Sequence, residues 1–196
     1  MEFNLNETVI RALPNKLTLF RIIASPFILI LYPLGWGPVD VLCALIFASA
    51  GATDYFDGYI ARKYNVHSKF GSLLDPIADK VLVSSAIIVL AGRAVAPVWM
   101  LGLLLIREIV ISGMRLIAAS NNYDIPVNKF GKAKTLMQMV ALFCLMVNDD
   151  DFFGLNFVTT GMYFLILALV LSLYSAYTYI RDFWPKFNER HQVDQF

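Results

Sequence analysis

The segment "TDYFDGYIARKYNVHSKFGSLLDPIADK", from Thr53 to Lys80, separates two long apolar stretches and carries two pairs of aspartates: Asp54 and Asp57, then Asp75 and Asp79. Members of the first pair are three residues apart and those of the second pair four, so each pair lies on one face of a helix. The connection between them is short enough to bring the two faces together. The segment therefore predicts a helical hairpin with one acidic site.

The composition indicates a membrane protein. The 196 residues are 58% hydrophobic and only 16% charged, with a mean hydropathy of +0.63, which is too apolar for a soluble globule. The net charge of +1 gives no support for a nucleic-acid partner. Cys43 and Cys144 lie inside apolar runs and argue for neither a disulfide nor a metal site.

Apolar segments bounded by Pro, Gly, Asn or charged residues predict an all-α fold, an integral membrane bundle of six transmembrane helices in one domain over residues 1–196. The third segment is short for a full crossing and the sixth is long, which predicts tilt or a cytoplasmic extension. The predicted spans are Lys16–Leu34, Val39–Tyr59, Asp75–Ala91, Pro97–Ile117, Phe130–Val147 and Leu155–Phe183.

The distribution of Lys and Arg predicts the orientation. These residues precede the first span, lie between the second and third and between the fourth and fifth, and follow the sixth. The loops on the other side carry only Arg93 and the acidic run Asn148–Asp151. The positive-inside rule therefore places both termini and the four aspartates in the cytoplasm.

The four carboxylates predict a metal site. An all-oxygen ligand set suits Mg²⁺, Mn²⁺ or Ca²⁺, and two divalent cations would neutralise a cluster that is otherwise costly in poorly solvated surroundings. Paired metals commonly assist phosphoryl transfer. Gly58 and Gly71 leave room for a phosphate near the backbone, and Arg62 offers a planar fork for the same anion.

A structural reading of the same acids stays open. Asp54 would cap a helix, Asp57 would belong to a turn, Asp75 before Pro76 would begin the third helix, and Asp79 would pair with a nearby lysine. Capping alone does not require four acids on two adjacent helix ends, so the site interpretation is favoured.

The motif DxxDGxxARx8GxxxDxxxD, read here from Asp54 to Asp79, resembles the signature of the CDP-alcohol phosphatidyltransferases. The resemblance implies six-helix membrane enzymes that displace CMP from a CDP-linked lipid with an alcohol, using two divalent cations, and it implies a homodimer. It also implies that all four aspartates bind metal, that Asp79 acts as the base, and that Gly58, Arg62 and Gly71 belong to the CDP-lipid site.

Four further segments resemble the bacterial phosphatidylglycerophosphate synthases within that family. The resemblance implies CDP-diacylglycerol as donor, sn-glycerol 3-phosphate as acceptor and a place in the bacterial cytoplasmic membrane, with the active site facing the cytoplasm. The segments are "LPNKLTLFRI" (Leu13–Ile22), "DPIADKVLV" (Asp75–Val83), "REIVISGMR" (Arg107–Arg115) and "GKAKTLMQM" (Gly131–Met139).

Basic residues of the fourth and fifth spans predict a pocket for the acceptor phosphate. A cation deep in a membrane span, such as Arg107, usually has an ionic partner or a functional role. Its neighbour Glu108 is not an assured partner, because consecutive residues of a helix point apart. Contact with anionic headgroups under the positive-inside rule remains an alternative for all but Arg107. The predicted acceptor-binding residues are Arg107, Arg115, Lys132 and Lys134.

A polar stripe on the first span has two readings. Asn15, Thr18 and Arg21 recur at three-residue spacing, and they either line the CDP-lipid site or anchor the helix at the membrane interface. Two other functions also stay open: a sibling transferase using inositol phosphate, serine or phosphatidylglycerol, and a divalent-cation transporter. The latter is disfavoured because the acids lie at the interface and the sequence shows no inverted repeat.

Overall fold

The computed structural model describes residues 5–64, 69–121, 130–149 and 156–193, with the backbone alone at 5–15, 54–64, 69–73, 130–132, 186 and 189–193. These residues form six α-helices and a short 3-10 turn, and no strand occurs among them, which confirms the all-α prediction. The elements are α1 (Leu5–Leu31), the 3-10 turn (Tyr32–Leu34), α2 (Gly37–Tyr64), α3 (Lys69–Gly92), α4 (Val98–Ser120), α5 (Phe130–Val147) and α6 (Phe157–Val193).

The start of α3 differs from the prediction. The sequence places it at Asp75, because proline is common in the first turn of a helix. The structure begins α3 at Lys69, so Pro76 lies inside the helix. The prediction was wrong because an interior proline lowers the stability of a helix without excluding it: it removes one N–H and its ring crowds the carbonyl four residues earlier. Contacts between α3 and its neighbours α1 and α2 then outweigh that local cost.

The aspartate pairs also lie farther from the helix ends than predicted. Helix α2 continues to Tyr64, beyond Asp57, and α3 starts at Lys69, before Asp75. At a rise of about 1.5 Å per residue, the nearer aspartate of each pair is roughly 10 Å from the connection between the helices and the farther one roughly 15 Å. That connection spans only residues 65–68, and α2 contacts α3, so the predicted neighbouring helices are present.

The helices pack around an apolar core. Helix α1 contacts both α2 and α3, α2 contacts α5, and α5 has its most extensive contacts with α6. At that last contact a Cβ on Gly161 would lie 2.8 Å from Leu145 Cγ and 3.0 Å from Leu145 N. A glycine is therefore required for α6 to approach α5 this closely. The largest fully buried apolar side chains include Tyr32, Phe47, Ile28, Leu82, Leu90, Leu101, Leu104, Leu142, Met146 and Leu165.

Two segments within the described residues are long and apolar enough to cross a membrane, Lys16–Leu34 and Phe157–Pro185. Helices α3 and α4 carry charged side chains in their apolar sequences, which lowers their hydropathy. Large apolar side chains are exposed on the outside of the bundle, a surface that suits lipid better than water. Those at least half exposed include Leu19, Phe27, Ile30, Ile88, Ile106, Ile109, Leu116, Leu136 and Val170.

An ion pair joins the helices at the end of the bundle remote from Asp75. Arg93, which follows α3, donates from Nη1 to both carboxylate oxygens of Asp40 at 2.5 and 2.6 Å. The guanidinium also lies 4.7 Å from the ring centre of Tyr32, whose hydroxyl donates to the carbonyl of Leu145. The hydrogen bond with Asp40 raises the pKa of Arg93. This pair joins residues more than fifty positions apart and was not predicted from the sequence.

Asp40→Asn is expected to lower the free energy of unfolding by about 2 kcal/mol, because it leaves Arg93 beside a neutral amide. The cost is below that of a fully buried pair, since the Arg93 side chain is 23% exposed and water still reaches it. Thermal unfolding of the purified protein in detergent measures the effect. Asp182→Asn, in a surface pair with Arg181, is the matched control and should leave Tm nearly unchanged; equal shifts in both variants would contradict the prediction.

Candidate functional site

Asp75 is held by two side chains of α1. The Thr18 hydroxyl donates to Asp75 Oδ1, and Arg21 Nη2 donates to the same oxygen at 3.3 Å. Both donors are fully buried, and their three-residue spacing places them on one face of α1. Asp75 Oδ2 has no protein partner among the described residues, so one carboxylate oxygen is fixed while the other remains available to a ligand.

Asp79 lies one turn after Asp75 on the same face of α3. It borders a small cavity of about 20 Å³, enough for roughly one water molecule. The cavity joins α3 to α4 and α5, because its lining includes residues of all three helices. The remaining lining residues are Lys80, Val83, Glu108, Lys134, Thr135, Gln138 and Met139.

Two buried cations meet one carboxylate, Glu108, which lines this cavity together with Lys134; Arg107 lies beside Glu108 and is not a lining residue. Lys134 Nζ lies 2.5 Å from Glu108 Oε2, and Arg107 Nη1 lies 3.0 Å from the same oxygen. Arg107 Nε also donates to the carbonyl of Ser172 in α6 at 3.2 Å. The Lys134 and Arg107 residues are only 4% and 7% exposed. The three charged groups, called the Glu108 triad below, carry a formal net charge of +1.

The Glu108 triad differs from what the sequence predicts for Arg107 and Glu108, and it adds an acid to the predicted basic pocket. The sequence did not assure a pair between Arg107 and Glu108, yet their charged ends meet because both side chains are long and flexible. Lys134 and Arg107 do come together, as the predicted basic pocket requires. The acid between them was missed as a site residue, although a glutamate next to an arginine in an apolar helix is a usable signal.

Arg115 is placed differently from the triad. Its guanidinium carbon lies 5.7 Å from the ring centre of Tyr179 in α6, a cation–π distance, and, like Arg107, it does not line the cavity. It is nevertheless near enough to Arg107 and Lys134 to interact electrostatically with both. Arg115 therefore adds positive potential to the site from its edge.

Several predicted site residues have side chains outside the described part of the structure. Among the described side chains, no group of three or more His, Cys, Asp or Glu could hold a metal ion, since two of the four aspartates are not in that set. The backbone places all of these residues in helices. They are Asn15, Asp54, Asp57, Gly58, Arg62, Gly71 and Lys132, and their assignments stay predictions.

Comparisons with known proteins give one matching family and a set of relatives. A family model described as CDP-alcohol phosphatidyltransferase matches residues 11–174. Several curated relatives, three of which follow, bear the name CDP-diacylglycerol–glycerol-3-phosphate 3-phosphatidyltransferase. The Bacillus subtilis strain 168 protein is 36% identical over 184 residues, covering 88% of this chain and 95% of the relative. The Rickettsia bellii protein is 38% identical over 169 residues, covering 86% of this chain and 93% of the relative. The Yersinia enterocolitica protein is 35% identical over 180 residues, covering 88% of this chain and 94% of the relative.

Proposed function

The chain belongs to the CDP-alcohol phosphatidyltransferase family, and from that premise we propose that it transfers a phosphatidyl group from CDP-diacylglycerol to sn-glycerol 3-phosphate. The products are phosphatidylglycerophosphate and CMP. The observation that carries the proposal is the cavity lined by Asp79, Glu108 and Lys134, with Arg107 bound to Glu108 beside it. A carboxylate that can act as a base next to buried cations suits an acceptor that has both a hydroxyl and a phosphate.

Enzymes of this family generally use divalent metal ions, and the residues present fit that use. Asp75 offers an open oxygen, and Asp79 lies one turn away on the same face. With Asp54 and Asp57 these carboxylates would hold two ions, Mg²⁺ or Mn²⁺. Such ions, when bound, stabilise negative charge on the diphosphate and on the leaving CMP.

The chain's own residues supply the proton chemistry. Asp79 takes the proton of the acceptor's primary hydroxyl, whose oxygen then attacks the lipid-linked phosphorus. The bond from that phosphorus to the bridging oxygen breaks, and CMP leaves with the electron pair. Arg62 neutralises the leaving phosphate, while Asn15, Thr18, Gly58 and Gly71 belong to the CDP-lipid site. Thr18 also keeps Asp75 in place, as its hydrogen bond indicates.

The basic residues near the cavity, called the cation cluster below, bind the acceptor. Arg107 and Lys134 bind the phosphate of sn-glycerol 3-phosphate, with Lys132 and Arg115 adding positive potential. A cavity of about 20 Å³ is smaller than this acceptor, so flexible lining side chains must move when it arrives. Met139 is unbranched and suits that movement.

A lipid donor and a water-soluble acceptor require a site at the membrane surface. We place the chain in the bacterial cytoplasmic membrane as one six-span domain with both termini and the site on the cytoplasmic side, and as a homodimer. The exposed apolar surface of the bundle supports the membrane location. A site at headgroup depth receives the lipid from the bilayer and the soluble acceptor from the cytoplasm.

The proposal is tested by CMP release from CDP-diacylglycerol by the purified protein in detergent with Mg²⁺. We expect release with sn-glycerol 3-phosphate and none with inositol phosphate, serine or phosphatidylglycerol. EDTA should abolish release, and excess Mg²⁺ or Mn²⁺ should restore it, because the carboxylates need the ions to bind the diphosphate.

Other outcomes point to other functions. Release with a different acceptor would identify a sibling transferase and would contradict the assignment of the cation cluster. No release with any acceptor, together with divalent-cation uptake into liposomes containing the protein, would identify a transporter.

A further inference from the structure

Glu108 occupies the centre of the cation cluster, where an anion-binding site would not be expected to hold a carboxylate. We propose that Glu108, which lines the cavity beside Asp79 together with Lys134, is a positioning residue that fixes Lys134 and the adjacent Arg107, so that their remaining donors face the acceptor's phosphate. The proposal rests on the function proposed above and deepens it by naming the group that builds the acceptor site.

Lys134 depends on Glu108 for its place. Its ammonium is buried, and Glu108 is its only hydrogen-bond partner among the described residues. A buried ammonium without a counter-charge is costly, and a flexible lysine would otherwise turn towards water. Arg107 is held twice, by Glu108 and by the Ser172 carbonyl. Removing the glutamate charge should therefore displace Lys134 more than Arg107.

A single oxygen of Glu108 brings the two cations together. Both Lys134 Nζ and Arg107 Nη1 contact Oε2 within 3.0 Å, so the two nitrogens are close enough for one phosphate group to reach both. The two cations come from different helices, α5 and α4. Glu108 consequently sets the spacing of the site across a helix interface, which neither cation can do alone.

The contacts leave donors for a ligand. An ammonium has three N–H groups, and only one is needed for Glu108. Arg107 uses Nε and Nη1, which leaves Nη2 without a protein partner among the described residues. The triad keeps a net charge of +1, so it still attracts the phosphate dianion. The Glu108 charge lowers the attraction for the phosphate, but it holds the donors of Lys134 and Arg107 in fixed positions.

The test compares Glu108→Gln, which keeps the shape and removes the charge, with Glu108→Asp, which keeps the charge and shortens the side chain. We expect Glu108→Gln to raise KM for sn-glycerol 3-phosphate about 10- to 100-fold, with KM for CDP-diacylglycerol changed by less than about twofold. Glu108→Asp should recover part of the loss. Asp182→Asn, which removes a surface carboxylate of α6, is the matched control and should change neither constant.

A double-mutant cycle with Lys134→Met supplies a second measurement. If Glu108 acts through Lys134, the effect of Glu108→Gln on KM for the acceptor should be at least about fivefold smaller when Lys134 is already methionine. Additive effects would overturn the proposal. The cycle needs only small amounts of folded protein, so it remains informative if Glu108→Gln lowers the yield.

The outcomes separate this proposal from the proposed function. Wild-type protein that releases no CMP with sn-glycerol 3-phosphate would refute the function, and with it the substrate of this site. An active wild type with a Glu108→Gln variant of unchanged or lowered KM for the acceptor would overturn only the role of Glu108. A fall in kcat with both KM values unchanged would indicate a purely structural role and would also overturn it.

Discussion

Asp79→Asn is expected to lower kcat for CMP release at least about 10³-fold while the protein remains folded, because the amide cannot take the proton of the acceptor hydroxyl. Asparagine keeps the shape of the side chain and one carbonyl oxygen. The cavity lined by Asp79 and Lys134 should therefore persist. We expect binding of CDP-diacylglycerol in the presence of Mn²⁺ to change far less than turnover.

Two measurements check this prediction. Steady-state CMP release at saturating substrates gives kcat, and equilibrium binding of CDP-diacylglycerol with Mn²⁺ gives the affinity for the donor. Asp182→Asn is again the control, since it removes one carboxylate from the surface of α6 and should remain fully active. Wild-type turnover in Asp79→Asn would refute the assignment of the base. Loss of donor binding equal to the loss of turnover would instead make Asp79 chiefly a metal ligand.

The helical fold could be predicted from the sequence because apolar runs and their polar boundaries carry most of the information in such a chain. The bounds of α5, Phe130–Val147, agree with the prediction residue for residue. The start of α3 could not be predicted, since Pro76 suggests a helix start that contacts with α1 and α2 override. Local sequence signals describe the chain alone, whereas helix bounds also depend on packing.

The residue types of the site could be predicted from the sequence, but the contacts between their side chains could not. The spacing of Asp75 and Asp79 identified two carboxylates on one face, yet nothing in the spacing shows that Thr18 and Arg21 hold Asp75. That contact joins residues more than fifty positions apart, so it depends on how α1 lies against α3. Periodicity shows which side chains share a face, and only the fold shows what that face contacts.

The same limit explains why the acid of the cation cluster was missed. Positive charges at Arg107 and Lys134 predict a phosphate site by their sign alone, whereas the adjacency of Arg107 and Glu108 on one helix predicts that their side chains point apart. In the bundle, Glu108 meets Arg107 within α4, and it meets Lys134 of α5 because Glu108 and Lys134 line the same cavity. Buried cations require a counter-charge before any ligand binds, and that requirement applies to the folded protein.

Arg107→Ala is expected to raise KM for sn-glycerol 3-phosphate about 100-fold, since a charge-assisted hydrogen bond to phosphate contributes roughly 1.5–3 kcal/mol. KM for CDP-diacylglycerol should change by less than about twofold, because the donor site depends on the aspartates and on Arg62. Arg107→Lys should recover only part of the loss, as lysine keeps the charge but lacks the fork that joins Glu108 to the Ser172 carbonyl.

The matched control for this prediction is Arg181→Ala, which removes an arginine from the surface of α6 where it pairs with Asp182. Its KM values for both substrates should equal those of the wild type. Initial rates measured over a grid of both substrate concentrations separate the two constants. Equal increases in both KM values for Arg107→Ala would show that Arg107 mainly joins α4 to α6, and the acceptor's phosphate would then have to be bound by Lys134 with Lys132 or Arg115.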